Sequence, residues 1–269
     1  MTEKNKESNV SVIIPYKNRH NHVLRCLSSI NSQTIKPFEV ILVNDGGLPL
    51  ELNNEYCFDV VNIENGKNYG AAYSRNVGAK YSRGDFLFFL DSDDEWDSSH
   101  ISHIASIKQC NPYIDFFVSS YGKKFKKNKI SKNKLSGDIV LISDPAEFQF
   151  LSSGSFRTSC FAIKRNAFFS IGGFDEKQKK HQDWDLAFRY SKSSKKIIAA
   201  SLNKTVLIDS SAPERMSYNS NVDASLYFFK KHKDIMSVRC QYAFLKGVFA
   251  GIIKSGDFKQ LFSFWMIFR

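Results

Sequence analysis

Thirty-eight lysines and arginines against 27 aspartates and glutamates give this 269-residue chain a formal charge of +11, which leaves nucleic acid, anionic membrane or phosphorylated small molecules as candidate partners. A hydrophobic content of 42% suffices for a core, and the length suits one large α/β domain or a core domain with an appendage. The five cysteines, Cys26, Cys57, Cys110, Cys160 and Cys240, are scattered and form no CxxC pair, which excludes a disulfide framework and a zinc site and suits a reducing cytoplasm.

The stretch before Asn9 is charged, with no apolar run behind it, so neither a secretory signal nor a membrane span is expected. Val10-Ser11-Val12-Ile13-Ile14-Pro15 predicts a first buried strand, closed by a proline that cannot continue a ladder. Tyr16-Lys17-Asn18-Arg19 then leads into an amphipathic helix from about Asn21 to near Thr34, on Val23, Leu24, Leu27 and Ile30. Phe38 to Val43 is a second strand ending in the turn Asn44-Asp45-Gly46-Gly47, and strand, helix and strand make a right-handed parallel βαβ unit. A third, more polar strand covers Phe58 to Ile63. The loop Glu64 to Gly70 follows, then a helix over Ala71 to Ser82 with Arg75 and Asn76 near its start.

Phe86-Leu87-Phe88-Phe89-Leu90 is the pattern of a strand buried on both faces, and it stops at Asp91-Ser92-Asp93-Asp94, a cluster that a core would not tolerate. Parallel strands share a carboxyl edge, and ligands of open α/β sheets bind beyond it. Tyr16 to Asn18, Asp45 and Asp91 to Asp93 are therefore expected to face one crevice, with Asp91 and Asp93 as oxygen ligands for Mg²⁺ or Mn²⁺. Neither GxGxxG after the first strand nor GxxxxGK[ST] anywhere is present, so phosphates need another holder, a divalent cation assisted by Lys67 or Arg75.

In the second half, a helix on Ile101, Ile104, Ala105 and Ile107 precedes a strand over Ile114 to Ser119. Seven lysines between Lys123 and Lys134 read as a solvated loop or a binding patch, and no nucleic-acid-binding motif accompanies them. Strands are expected at Asp138 to Ile142 and Ser159 to Ile163, and a short helix from Asn166 to Ile171, stopped by Gly172-Gly173. Gln182-Asp183-Trp184-Asp185 opens a further helix with acids at its positive end, where Asp183 is either an N-cap or a functional carboxylate.

Together these segments resemble the family 2 glycosyltransferases of GT-A fold over roughly Val10 to Ser217. The elements stand in family order: Ser11 to Pro15, Val43-Asn44-Asp45-Gly46, Asn68-Tyr69-Gly70 to Asn76, Leu90-Asp91-Ser92-Asp93-Asp94, Ile171 to Glu176, and Gln182 to Leu186. The resemblance implies an α/β fold with a Rossmann-like, mostly parallel sheet flanked by helices. Its nucleotide-sugar half would cover about residues 10–110 of a 1–217 catalytic domain and its acceptor half 111–217, with a C-terminal helical extension over 218–269. By that likeness Pro15, Tyr16, Lys17, Asn18, Asp45, Asn68, Gly70, Arg75, Asp91 and Ser92 hold the donor, Asp93 holds Mg²⁺ or Mn²⁺, and Asp183 is the base of an inverting transfer. Gly154, Trp184 and Asp185 fall on the acceptor side, and Arg215 is either a late cation over the diphosphate or a surface arginine. Three positions depart from the family pattern: Lys17 stands where an aromatic residue is frequent, Asn44 replaces an Asp, and Gln182 replaces a Glu.

The likeness also implies a UDP-linked hexose or N-acetylhexosamine donor and a saccharide or lipid-linked acceptor in surface polysaccharide or lipopolysaccharide assembly. The tail from Leu226 repeats aromatic and aliphatic residues at helical spacing among lysines. It reads as helices packed on the catalytic domain or a dimer partner, or as an anionic membrane surface holding a cytoplasmic protein at the inner face of the membrane. An apolar strand followed by Asp-x-Asp also opens the haloacid dehalogenase-like phosphatases, but there a Thr stands where this chain has Glu95, and here three strands come first. A non-catalytic nucleotide-binding protein would lack Asp183.

Overall fold

All seven residues from Val10 to Tyr16 are buried, and this strand, β1, is the axis of the sheet. The computed structural model describes residues 9–52, 55–123, 139–152, 154–193, 196–209 and 221–265. β1 lies parallel to both β2 (Glu39–Asn44) and β4 (Phe86–Phe89), and β2 is parallel to β3 (Asp59–Glu64). The helices α1 (His20–Asn31) and α2 (Ala71–Tyr81) make the crossovers, α1 burying Val23, Cys26, Leu27 and Ile30. β1 runs one residue past Pro15, which pairs with Val43. A proline is tolerated here because only its missing N–H, not its carbonyl, is lost to the ladder.

Beyond β4 the pairing changes sense. The sheet order is β3-β2-β1-β4-β8-β6-β9-β5, with β7 on β9. Here β5 is Glu95–Trp96, β6 Phe116–Lys123, β7 Ile139–Ile142, β8 Phe161–Lys164 and β9 Ile198–Ile208. β8 is antiparallel to both β4 and β6, while β6 and β9 are parallel. The antiparallel β8 turns the polypeptide back, so that residues 158–160, a short 3₁₀ turn, abut the acidic turn after β4. The sequence expectation of a strand from Ser159 is thus corrected at its first two residues. β5 and β9 go unforeseen, as does α4 (Pro145–Phe150), although Asp144 caps α4 through its Oδ1 and Pro145 takes its first position. α3 (His100–Cys110), α5 (Arg165–Ser170) and α6 (Gln182–Lys192) fall close to their expected places.

After residues 210–220 come α7 (Val222–His232), α8 (Val238–Ser255) and α9 (Gln260–Trp265). The Arg215 expectation and the boundary near residue 217 lie outside the described residues, as does the lysine run beyond Lys123. Phe228, Phe229, Met236, Cys240 and Phe244 belong to the same core as the sheet, so one face of the tail packs on the α/β fold.

Asp185 fixes that packing. Fully buried on α6, it does not face the acceptor as expected but turns to α7: its Oδ1 accepts from Lys231 Nζ (2.6 Å) and meets His232 Nε2 (2.9 Å), and its Oδ2 accepts from Arg189 Nε (2.8 Å). Burial alone would raise its carboxyl, but the His232 hydrogen bond, Arg189 and Lys231 outweigh it and bring the pKa down to about 2. Asp185→Ala therefore strands three basic groups and should cost about 3–5 kcal/mol in chemical denaturation. Because the folded pKa lies below the unfolded one, the Asp185 contribution is complete above about pH 4 and fades as pH falls toward 2; a wild-type minus D185A difference independent of pH across that window would contradict it.

Candidate active site

A cavity of about 940 Å³ opens at the carboxyl ends of β1, β2 and β4 and runs to the helices α7 and α8. Pro15, Tyr16, Lys17, Asn18, Asp45, Asn68, Gly70, Arg75, Asp91, Ser92, Asp93, Asp183 and Trp184 all line it. Of the expected residues, Asp185 and Gly154 do not. Gly154 instead sits against Phe148, whose ring would lie 2.3 Å from any Cβ added there.

The Asp45 side chain is a structural anchor as well as a wall. Its two oxygens accept from the backbone N–H groups of Tyr69 and Gly70, each at 2.9 Å, which brings the start of α2 to the end of β2. Gly46 is required beside it: its φ is +73°, and a Cβ would lie 2.4 Å from the carbonyl carbon of Lys67. Asn18, also at positive φ (53°), accepts from Leu48 N–H at 2.7 Å and so joins the loops after β1 and β2. Lys17, beside Asn18, is exposed at the rim of the cavity.

The acidic turn is held from beneath. Asp94 is buried and accepts from Ser159 Oγ (2.6 Å) and from Asp209 N–H (3.2 Å), while Ser159 Oγ accepts from Asp91 N–H (3.1 Å). Cys26 on α1 points its thiol at the carbonyls of Ser92 and Asp94, 3.2 and 2.9 Å away, and burial pushes that thiol well up so that it keeps its proton. With Asp94 turned inward, Asp91 and Asp93 face the cavity. Asp91 Oδ1 accepts from Arg75 Nη2 at 2.5 Å, and Asp93 Oδ2 from Arg19 Nη1 at 3.1 Å.

These donors fit a hard divalent cation. Among the described residues no three His, Cys, Asp or Glu side chains converge as a ready cage. A magnesium-like ion needs only one or two carboxylates when phosphate oxygens and water complete its shell, and Asp91 and Asp93 offer such a pair at the wall of an open cavity.

Asp183 is the second residue of α6 rather than its N-cap, a position taken by His181 in the left-handed region (φ 62°). His181 is kept there by stacking on Trp184, 4.1 Å between rings, and by a hydrogen bond between its Nε2 and Ser225 Oγ of α7 (2.9 Å). Asp183 is bonded to its neighbour's N–H, Trp184, at 3.0 Å, and burial raises its pKa to about 6 against the pull of Arg157, Trp184 N–H and Arg75. Asp183 and the acidic turn are connected by Arg75, which donates from Nη1 to Gln182 Oε1 at 2.8 Å while holding Asp91.

Two groups of site residues carry no sequence signal. Arg157, just before the 3₁₀ turn, lines the cavity with its guanidinium over the Tyr121 ring (5.2 Å), and its Nε is buried with no hydrogen-bond partner among the described residues. It lies in an irregular loop with no periodicity to single it out. The far wall comes from the tail: Asn221, Val222, Ser225, Ala243, Phe244 and Gly247 all border the cavity. The helical spacing of the tail was legible, its position over the cavity was not.

A GT-A sheet with an acidic turn beyond its central strand and a carboxylate across the cleft defines a class of sugar-transferring folds. The glycosyl transferase family 2 model matches residues 11–174. An uncharacterized glycosyltransferase of Haemophilus influenzae is 30% identical over 188 residues, covering 67% of this chain and 61% of its own length. A second, YwdF of Bacillus subtilis, is 30% identical over 190 residues, covering 68% of each. The amylovoran biosynthesis glycosyltransferase AmsB of Erwinia amylovora is 27% identical over 203 residues, covering 72% of this chain and 67% of its own. Among solved structures, TarS of S. aureus in complex with UDP-GlcNAc shares the fold at a TM-score of 0.60 and 15% identity, over 82% of this chain and 66% of that one. The chain belongs to glycosyltransferase family 2. It spans about three fifths of the length of the Haemophilus relative.

The Asp183 carboxyl should titrate with a midpoint near 6 in ¹³C NMR of aspartate-labelled protein. Arg157→Gln removes the cation that favours its charged form, so the midpoint should move upward. A midpoint at the ordinary aspartate value, or one indifferent to Arg157, would contradict this electrostatic picture.

Proposed function

We propose that the chain is an inverting glycosyltransferase moving a hexosyl or N-acetylhexosaminyl unit from a nucleotide sugar, UDP-linked by family likeness, to a hydroxyl of a saccharide or lipid-linked saccharide. The observation that carries this reading is the placement of Asp183, which lines the same cavity as Asp91 and Asp93; burial pushes its carboxyl up to about 6. A phosphatase of the haloacid dehalogenase type needs no such second carboxylate across the cleft.

In this reading the donor lies along the carboxyl edge of the sheet. Pro15 to Asn18, Asp45, Asn68 and Gly70 surround the nucleoside, and Arg75, Asp91 and Ser92 line the ribose and the adjoining phosphate. Asp93, with Asp91 beside it, would hold Mg²⁺ or Mn²⁺, which when bound supplies Lewis-acid neutralisation of the diphosphate. Trp184 offers its ring to the acceptor. A sugar hydroxyl is too weakly acidic to ionise at neutral pH. Asp183 accepts its proton as the hydroxyl oxygen bonds to the anomeric carbon and the bond from that carbon to the diphosphate oxygen breaks on the opposite face. The configuration inverts. A base with a pKa near 6 is mostly ionised at pH 7 and yet basic enough to take the proton, a compromise that burial creates and Arg157 limits.

In this reading residues about 10–110 serve the donor and 111–217 the acceptor, and the α7 and α8 residues that wall the cavity belong to the acceptor side. A role in surface polysaccharide or lipopolysaccharide assembly is supported by the likeness to the amylovoran enzyme. Such a protein works in the cytoplasm or at the inner face of the membrane, as monomer or homodimer.

Asp183→Asn preserves shape and removes the base. It should leave nucleotide-sugar binding within about twofold while turnover falls by ~10²–10⁴-fold or more; turnover retained by D183N would refute the assignment. Asp93→Asn should instead weaken nucleotide binding only when Mn²⁺ is present, which titration calorimetry with and without the metal reads directly. Equal loss in both conditions would remove Asp93 from the metal site.

A further inference from the structure

α8 is apolar on two sides. Cys240, Phe244 and Ile252 are buried against the protein. On another face Val238, Tyr242, Leu245, Phe249 and Ile253 recur at i, i+4, i+7, i+11 and i+15, one continuous helical stripe. Leu245 is half-buried, whereas Val238 is 82% exposed, Tyr242 68%, Phe249 44% and Ile253 49%. Phe258 in the turn into α9, and Phe262 and Trp265 on α9, are exposed as well. A helix apolar over most of its circumference belongs in a core or in hydrocarbon. Here one side meets water, and among the described residues no helix is long and apolar enough to cross a membrane. A helix lying in the plane of an interface satisfies both facts.

Charge selects the occupant. Arg239, Lys246, Lys254 and Lys259 are exposed around the stripe, and α8 contains no acidic residue. A second copy of this face would meet it with like charge, whereas lipid phosphates complement it. Tyr242 and Trp265 suit the headgroup level, each an apolar ring with one polar group.

We propose that the exposed face of α8 and α9 docks on an anionic lipid bilayer, with Tyr242, Phe249, Ile253, Phe262 and Trp265 entering the headgroup boundary and Arg239, Lys246, Lys254 and Lys259 meeting lipid phosphates. Another flank of α8, Ala243 and Gly247, walls the cavity. Docking therefore sets the acceptor side about one helix diameter, ~10 Å, from the lipid surface, within reach of an acceptor anchored there. The docking goes beyond the transferase reading and stands without it.

The test is co-sedimentation of the full chain with vesicles of phosphatidylcholine alone and of phosphatidylcholine mixed with phosphatidylglycerol. Binding is expected to the mixed vesicles and to fall steeply with salt. Lys246→Gln with Lys254→Gln should weaken it about 30-fold, from about 1 kcal/mol per lysine at an anionic surface. Tyr242→Ser with Ile253→Ser should weaken binding as well, with circular dichroism and thermal unfolding unchanged; should that pair fail to fold, Val238→Ser at the most exposed position replaces it. No sedimentation with the mixed vesicles, or binding indifferent to both the charge and the apolar substitutions, overturns the proposal. So does a dimer in light scattering that Tyr242→Ser with Ile253→Ser dissolves, because the face would then cover a second copy of the chain.

Discussion

One buried guanidinium joins the two halves of this molecule. Arg75 is 4% exposed, and its two terminal nitrogens reach in different directions, one to Asp91 in the acidic turn after β4 and one to Gln182 at the start of α6. Its Nε is buried with no hydrogen-bond partner among the described residues, so the cost of placing the guanidinium in a core is offset through the two terminal nitrogens, and the position of each partner is constrained by the other. Asp183 follows Gln182, and its distance from the acidic turn is fixed by that constraint. The departure of Gln182 from the family's Glu has a consequence here: a neutral amide accepts from Arg75 without competing for its charge, which is left to Asp91.

Buried carboxylates elsewhere hold loops and leave others free to face the cavity. Asp45 gathers the N-terminus of α2, Asp94 fastens the acidic turn to Ser159 and to the end of β9, and Asp185 anchors α7. Each is held by donors that burial makes strong and exclusive, and each sits next to residues that remain turned to the cavity. The same division explains why the tail matters. Through Lys231, His232 and Ser225, α7 restrains both Asp185 and His181, on either side of Asp183, so the terminal helices position the start of α6 as well as walling the cavity.

The first half of the fold was legible because its signals are local. Largely apolar runs mark β1, β2 and β4, and the polar residues that end them necessarily lie on one edge of a parallel sheet, so the pattern alone brings Tyr16 to Asn18, Asp45 and Asp91 to Asp93 together. The second half was not, because its signals are tertiary. β9 is rich in small and polar residues, Ala199, Ala200, Ser201 and Asn203, and becomes a strand through pairing with β5, β6 and β7 rather than through its own pattern. Asp183 and Asp185 are two positions apart on one helix and read alike, yet the helix turns Asp183 to the cavity and Asp185 into the core. Arg157 and the α8 wall meet the site only through long-range packing.

Asp91, Asp93 and Asp183 border one continuous space, and the proposed transfer requires the diphosphate on the side of the acidic turn. A crystal structure with uridine diphosphate and Mn²⁺ tests this most directly. It should show the diphosphate between Arg19 and Arg75, the metal on Asp93, and open volume for a sugar between the terminal phosphate and Asp183. A diphosphate seated against α8, or an Asp183 carboxyl turned away from that volume, would contradict it.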